Sequence, residues 1–250
     1  MNPPAPTASC VVIGNEILTG KVRDSNAHHL ARWLRERGVD LRRIQVIPDE
    51  VDIIAAVVAE ESARSHAVFT SGGIGPTHDD VTYRGVAAAF GLPVKRNETL
   101  AALMRNHYGE RLTEVGLRMA DLPDPCLQHA ADGLWVPVVQ VRNVYVLPGI
   151  PVLFERLLAS LDGRFRGVRV RLASIYTHQR EEEIAPALEA VLSEFRGVEI
   201  GSYPQMGGTA DYRVRVTLEC RDQDLCRRAT DALLERLNVS QVVRVERDPG

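Results

Sequence analysis

The sequence predicts an α/β protein: a mostly parallel, doubly wound sheet followed by a smaller ferredoxin-like α+β domain. Three observations predict it. Short apolar runs alternate with helical periodicity between Ser9 and Leu161. One of those runs passes through a glycine-rich turn directly into a helix. After Asp162-Gly163 the order changes to β-α-β-β-α-β. Strand-helix alternation implies parallel pairing with both faces of the sheet covered, and the second order is that of a split βαβ fold.

The elements follow in chain order. Cys10-Val-Val-Ile13 reads as a buried strand. Ala27, Leu30, Ala31 and Leu34 form the apolar stripe of a helix, with Asp24 or Ser25 as its cap and Gly38 beyond its end. Leu41 to Ile47 is the second strand, and Ile54, Val57 and Val58 mark a helix after Pro48 and Asp49. Ala67-Val68-Phe69 is the third strand; the helix after it runs from near Asp79 to Phe90 and stops at Gly91 and Pro93. Asn97 is placed to cap a helix bearing Leu100, Leu103, Met104 and His107. Ala120 to Leu134 reads as a long loop, then Val136–Val141 and Val144–Leu147 as strands. Pro151 opens a helix carrying Phe154, Leu157, Leu158 and Leu161.

In the second part, Arg169–Tyr176 is strand-like, Glu181–Phe195 helical and Val198–Tyr203 strand-like. Gly207-Gly208 supplies a turn before Asp211–Leu218, where Tyr212, Val214, Val216 and Leu218 share one face. Leu225–Leu237 is helical and Gln241–Val245 closes the domain. The expected domains are residues 8–163 and 168–248.

Thr70-Ser-Gly-Gly-Ile-Gly-Pro-Thr-His-Asp-Asp-Val-Thr82 carries the chemistry. Gly72, Gly73 and Gly75 let backbone approach a ligand, and amides at a helix start favour a phosphate. Asp79 and Asp80 would repel that phosphate unless a cation stood between them. The spacing alone also fits a plain tight turn. No Lys-Ser/Thr follows the glycines, so this is not the phosphate loop of nucleotide triphosphatases, and the dinucleotide fingerprint is missed as well. Glu16 and Asp49 each follow a strand, which brings four carboxylates towards one sheet edge. Such hard oxygen donors call for a divalent cation, Mg²⁺, Mn²⁺ or Co²⁺, able to bridge a pyrophosphate and activate water. Asp49, Ser25 and Asn26 also have the simpler reading of helix caps. His28 and His29 have no spaced partner for zinc, and His78 is the one histidine inside the loop.

This segment resembles the Gly-Gly-x-Gly-Pro-x-x-x-Asp-Val/Leu-Thr stretch of the molybdopterin-binding, MoaB/Mog-like family. Gly14-Asn-Glu-Ile-Leu-Thr-Gly20, Asp24-Ser-Asn26, Val46-Ile-Pro-Asp-Glu50 and Leu147-Pro-Gly-Ile-Pro151 resemble its other motifs in the same order. Within the family the likeness is greatest to the N-terminal domain of competence/damage-inducible protein A and to the molybdopterin-binding-like domain of eukaryotic FAD synthase. Val141–Pro151 and Gly201-Ser-Tyr-Pro204 favour the latter. The resemblance implies Asp49 and Asp80 as catalytic aspartates and Glu16, Asp79 and Asp80 as metal ligands. It implies Gly72, Gly73, Gly75, Pro76 and Thr77 as substrate-binding, with Ser25, Asn26, Pro148 and Gly149 opposite. Asn15 stands where the family has Asp, and Asp79 where some relatives have a basic residue, so both positions depart from the pattern.

Composition narrows the rest. Thirty basic against 33 acidic residues, net charge -3, argue against a nucleic-acid-coating surface. Lys21 and Lys95 are the only lysines, and the arginines are scattered rather than clustered. No 18-residue apolar run is present, so no membrane partner is expected, and Met1–Thr7 reads as a loose proline-rich tail. Cys10, Cys126, Cys220 and Cys226 form no disulfide framework, which points to the cytoplasm. The partners expected are a nucleotide or pterin small molecule and further copies of the chain, a dimer before a trimer. The leading function is a metal-dependent pyrophosphatase acting on a dinucleotide such as FAD or ADP-ribose. The alternatives are a pterin-handling protein and a non-catalytic nucleotide-binding module. With neither an amidase nor an adenylyltransferase domain in the sequence, FAD synthesis by this chain alone is not expected.

Overall fold

Strand β1 (Thr7–Ile13) shows how the first unit is layered. Ala8, Cys10 and Val12 join one hydrophobic cluster, Val11 and Ile13 another, so alternate side chains feed cores on opposite faces. The computed structural model describes residues 5–205 and 210–248. Its contacts divide the chain into units Met1–Gly167 and Val168–Gly250.

The first unit continues with α1 (Asn15–Leu18), α2 (Asn26–Glu36), β2 (Asp40–Ile47), α3 (Val51–Arg64), β3 (Ala67–Ser71) and α4 (Thr82–Ala89). Then come β4 (Val94–Arg96), α5 (Glu98–Tyr108), β5 (Asp121–Pro123), β6 (Leu127–His129), β7 (Val138–Val141), β8 (Val144–Leu147) and α6 (Pro151–Ala159). The main sheet has the order β2-β1-β3-β8-β7-β6. Its β2–β1, β1–β3 and β3–β8 pairs are parallel; the last two pairs, out to β6, are antiparallel. Ile54 and Val58 of α3, Val86 of α4 and Leu100 and Met104 of α5 cover one face. Leu30 and Leu34 of α2, with Phe154 and Leu157 of α6, pack on the other around Phe69.

Several expectations need correction. The loop expected over Ala120–Leu134 contains two short strands: β5 pairs with β4, and β6 extends the main sheet. Each is three residues long, too short for a period-two pattern to register. Helix α4 starts at Thr82 rather than at Asp79, because both aspartates bond within the preceding loop. The Gly14–Gly20 segment holds α1, a single turn without buried residues and so without an apolar stripe. Leu103 is exposed, and Ala101 takes its place in the buried stripe of α5, whose expected cap is present: Asn97 Oδ1 accepts from Leu100 N–H at 2.9 Å.

The second unit runs β9 (Arg171–Thr177), α7 (Glu181–Glu194), β10 (Glu199–Pro204), β11 (Val214–Cys220), α8 (Gln223–Arg236) and β12 (Val242–Arg247). The sheet order β10-β11-β9-β12 with every pair antiparallel is the ferredoxin-like arrangement. Tyr212 lies ahead of the strand expected to contain it, and its ring meets Tyr176 edge-on at 4.8 Å. The turn expected at Gly207-Gly208 falls outside the described residues.

Candidate functional site

Four parallel strands end side by side, and each runs into a turn rich in glycine, proline or acid. β1 leads to Gly14, β2 to Pro48-Asp49, β3 to Gly72-Gly73 and β8 to Pro148-Gly149. The turns are tied across the sheet end: Gly14 N–H donates to Ile47 O at 3.1 Å, and Gly72 N–H to Leu147 O at 3.2 Å. Gly72 has φ +106°, and a Cβ there would strike the Ile13 carbonyl oxygen, so only glycine lets β1 and β3 finish this closely. This carboxyl edge is where open parallel sheets bind ligands.

The glycine loop is folded by its own aspartates. Asp80 Oδ1 accepts from Gly75 N–H at 2.7 Å, and Asp80 Oδ2 accepts from Thr77 N–H at 2.8 Å and from the Thr77 hydroxyl. The Thr77 hydroxyl also lies 2.6 Å from Asp79 Oδ1, which holds that carboxyl below its usual pKa range. Thr82 closes the base, its hydroxyl donating to Gly72 O at 2.8 Å and its N–H to Gly73 O at 2.9 Å. The Gly75 and Thr77 amides, expected to face a phosphate, are therefore already occupied by a carboxylate. Among the described residues, no hydrogen bond engages the Gly73 or Ile74 N–H. His78 is fully exposed, 3.9 Å from Asp79.

Asp49 does not cap α3. Glu50 holds that position, and Asp49 Oδ2 instead accepts from Asn15 N–H at 2.8 Å, at the start of α1. Burial pushes the Asp49 pKa up; the Asn15 N–H opposes this, while the charges of Glu16, Asp79 and Asp80 add to it. The four carboxylates thus share one electrostatic neighbourhood, as expected. They do not close into one ligand set: among the described residues, no three His, Cys, Asp or Glu side chains stand together as a metal cage.

A cavity of about 580 Å³ opens beside this cluster. Gly72, Gly73, Gly75 and Pro76 form one wall, with Asp80 behind them; Pro148 and Gly149 form a second; Glu16, Ser25 and Asn26 form a third. Asn26 fastens the walls together, its Nδ2 donating to Ser71 Oγ and to Gly149 O, both at 2.9 Å. Among the described residues, its Oδ1 is buried without a partner, as is Thr70 Oγ1. Of the two caps expected, Asp24 supplies the side chain, accepting from Asn26 and Ala27 N–H at 3.3 and 3.1 Å, while Ser25 holds the N-cap position without a side-chain bond. Thr77 borders a neighbouring cavity, and Asp49 and Asp79 line neither.

The sequence reading missed the aromatic wall. Tyr83, Tyr108 and Trp135 line the first cavity, and Tyr108 meets Trp135 at 5.3 Å and 67°. Tyr108 is the last residue of α5 and Trp135 follows the stretch read as loop, so neither belongs to a motif. Their aromatic character beside a run of polar loop residues was the only available signal.

Parallel strand ends, a glycine loop and a carboxylate-flanked cavity at the sheet end mark the first unit as a domain of the doubly wound α/β class. Residues 9–161 match the family described as "Probable molybdopterin binding domain", and residues 169–246 match "FAD synthase, middle domain". The chain belongs to the molybdopterin-binding domain family, with a FAD synthase-type middle domain following. A Caenorhabditis elegans protein named "Probable FAD synthase" is 31% identical over 94% of this chain and 50% of its own. The chain thus spans about half the length of that relative. A protein of Archaeoglobus fulgidus is 32% identical over 91% of this chain and 96% of its own. The crystal structure of CinA from Thermoplasma acidophilum, a protein of unknown function, superposes with TM-score 0.60 at 33% identity, covering 64% of this chain and 98% of that one. Among the described residues, no helix is long and apolar enough to cross a membrane.

Proposed function

We propose that the first unit hydrolyses the pyrophosphate bond of a dinucleotide such as FAD or ADP-ribose. The observation that carries this reading is the pairing of a ring-sized aromatic cavity with crowded carboxylates at one sheet end. Tyr108 and Trp135 offer faces for a heteroaromatic ring, and Gly73 and Ile74 offer amide donors to a phosphate. The resemblance to FAD synthase points to a flavin or adenine nucleotide.

The residues fit a divalent cation of the magnesium kind. Such ions keep several waters and take one or two protein carboxylates plus substrate phosphates, so no closed protein cage is needed. Glu16 and Asp79 would hold it, and the charge crowding that adds to the Asp49 pKa is what a cation relieves. When bound, the ion supplies charge neutralisation at the pyrophosphate and acidifies a water. Asp80 keeps the loop folded through its three donors. Asp49 Oδ1, the oxygen not engaged by Asn15, takes the proton from the attacking water. That water's oxygen bonds to one phosphorus, the bridging P–O bond breaks, and the bridging oxygen leaves with the other phosphate. The products are AMP and the remaining monophosphate.

Release of AMP from FAD, ADP-ribose, NAD or ATP with Mg²⁺, Mn²⁺ or Co²⁺ tests this directly. Turnover of a dinucleotide but not of ATP is the expected result. A second reading, pterin binding without hydrolysis, is favoured by the family match over residues 9–161. Tight binding of a pterin with no AMP from any dinucleotide would select it.

A further inference from the structure

A second cavity, about 550 Å³, lies against the first and shares Gly75, Asp80 and Tyr83 with it as a common wall. Arg84, in the first turn of α4, and Arg118, in the helical turn Gly116–Ala120, both line the second. Neither guanidinium has an ion-pair or hydrogen-bond partner among the described residues. The two carboxylates on the same lining are already answered. Asp121 is paired with Arg96 Nε at 2.5 Å, and Asp80 with the Gly75 and Thr77 donors. Two unpaired cations thus face a cavity whose two carboxylates are already hydrogen-bonded or ion-paired, next to the cavity that Tyr83, Tyr108 and Trp135 line.

We propose that this second cavity is a phosphoryl-binding subsite in which Arg84 and Arg118 hold a phosphate of the nucleotide whose ring occupies the first cavity. The inference rests on the reading of the first cavity as a ring site. Guanidinium forks suit phosphate oxygens, and two on one anion give charge-assisted contacts that a neutral ring cannot make. The two cavities adjoin at Gly75, Asp80 and Tyr83, so a nucleotide with its ring in the first would place its phosphate in the second. The chain would then select phosphorylated ligands over the bare nucleoside before any chemistry takes place.

The test is calorimetric binding of two ligand pairs, FMN against riboflavin and AMP against adenosine, to the wild-type chain and to Arg84→Gln, Arg118→Gln and the double variant. Both arginines are exposed, so the substitutions leave the core intact. The wild type should bind the phosphorylated member of at least one pair more tightly, with an affinity that falls as salt rises. The double variant should lose about tenfold or more for that member and bind the nucleoside unchanged. Equal affinities in wild type and double variant, equal losses for both members of a pair, or no binding of any phosphorylated ligand would overturn the subsite. Arginine-dependent binding without AMP release from FAD would remove the pyrophosphatase reading and leave the subsite standing. AMP release that is indifferent to both arginines in KM would do the reverse.

Discussion

Asp80 and Asp49 are both carboxylates at the same sheet end, yet their surroundings set them different tasks. Asp80 accepts from three donors of its own loop, so both oxygens are committed to backbone shape. An amide at that position offers one acceptor oxygen, leaving either Gly75 or Thr77 without its partner. Asp80→Asn is therefore expected to raise KM by about tenfold and to increase proteolytic nicking between Gly73 and Asp79. A kcat loss with unchanged KM and nicking would instead place Asp80 at the reacting atoms. Asp49 has a raised pKa, first from burial and then from neighbouring negative charge. A carboxyl whose folded pKa lies above its unfolded value favours the folded state fully only below that unfolded value. The contribution is lost as pH rises through the folded pKa. Asp49→Asn should thus melt higher than wild type at pH 7, and the gap should close as pH falls towards the ordinary carboxylate range. The Asn15 contact survives the change, because Asn also presents an acceptor oxygen.

At the scale of elements, what was legible was what has a period or a named turn. The parallel strands, α2, α5 and α6 follow from apolar spacing, and the ferredoxin-like order of the second unit from six ordinary elements in sequence. Strands β5 and β6 were not legible, since three residues carry no alternation and each is set by the strand it pairs with, β4 or β7. The direction of the Asp80 side chain was equally hidden. Glycine-loop spacing gives the turn but not which anion satisfies its amides. The aromatic wall escaped for the same reason, as Tyr108 and Trp135 meet only once the sheet is assembled. One helix contact was also outside sequence reach. A Cβ on Gly85 of α4 would fall 2.6 Å from Ile54 Cβ of α3, so the Ile54 side chain packs directly on the α4 backbone. Gly85→Val should lower stability by about 1–3 kcal/mol in urea unfolding. An unchanged midpoint would show that α3 can move aside without cost.

At the scale of the molecule, the proposed chemistry is assigned to the first unit, where the glycine loop and the crowded carboxylates lie. The acidic run Glu181-Glu182-Glu183 opens α7, where negative charge meets the positive end of the helix dipole. Glu183 accepts from Arg180 N–H at 2.9 Å, and that bond holds its carboxyl below the usual range, as suits a helix start. Association between copies is the other whole-molecule expectation. A net charge of -3 sets little repulsion against it, and light scattering at micromolar concentration should return a dimer; a monomer would contradict that expectation.

The central claim is that the carboxylates beside the aromatic cavity break a pyrophosphate bond, and AMP release from FAD in saturating Mn²⁺ by the wild type and by Asp49→Asn tests it most directly. The account predicts that the wild type turns over and that the variant, folded and still binding FAD, loses about a hundredfold or more in kcat. The wild-type rate should also fall with decreasing pH as Asp49, whose pKa burial raises, takes up its proton, while the residual rate of the variant stays flat. A variant that releases AMP at the wild-type rate, or a wild type that binds FAD and never releases AMP, would contradict it.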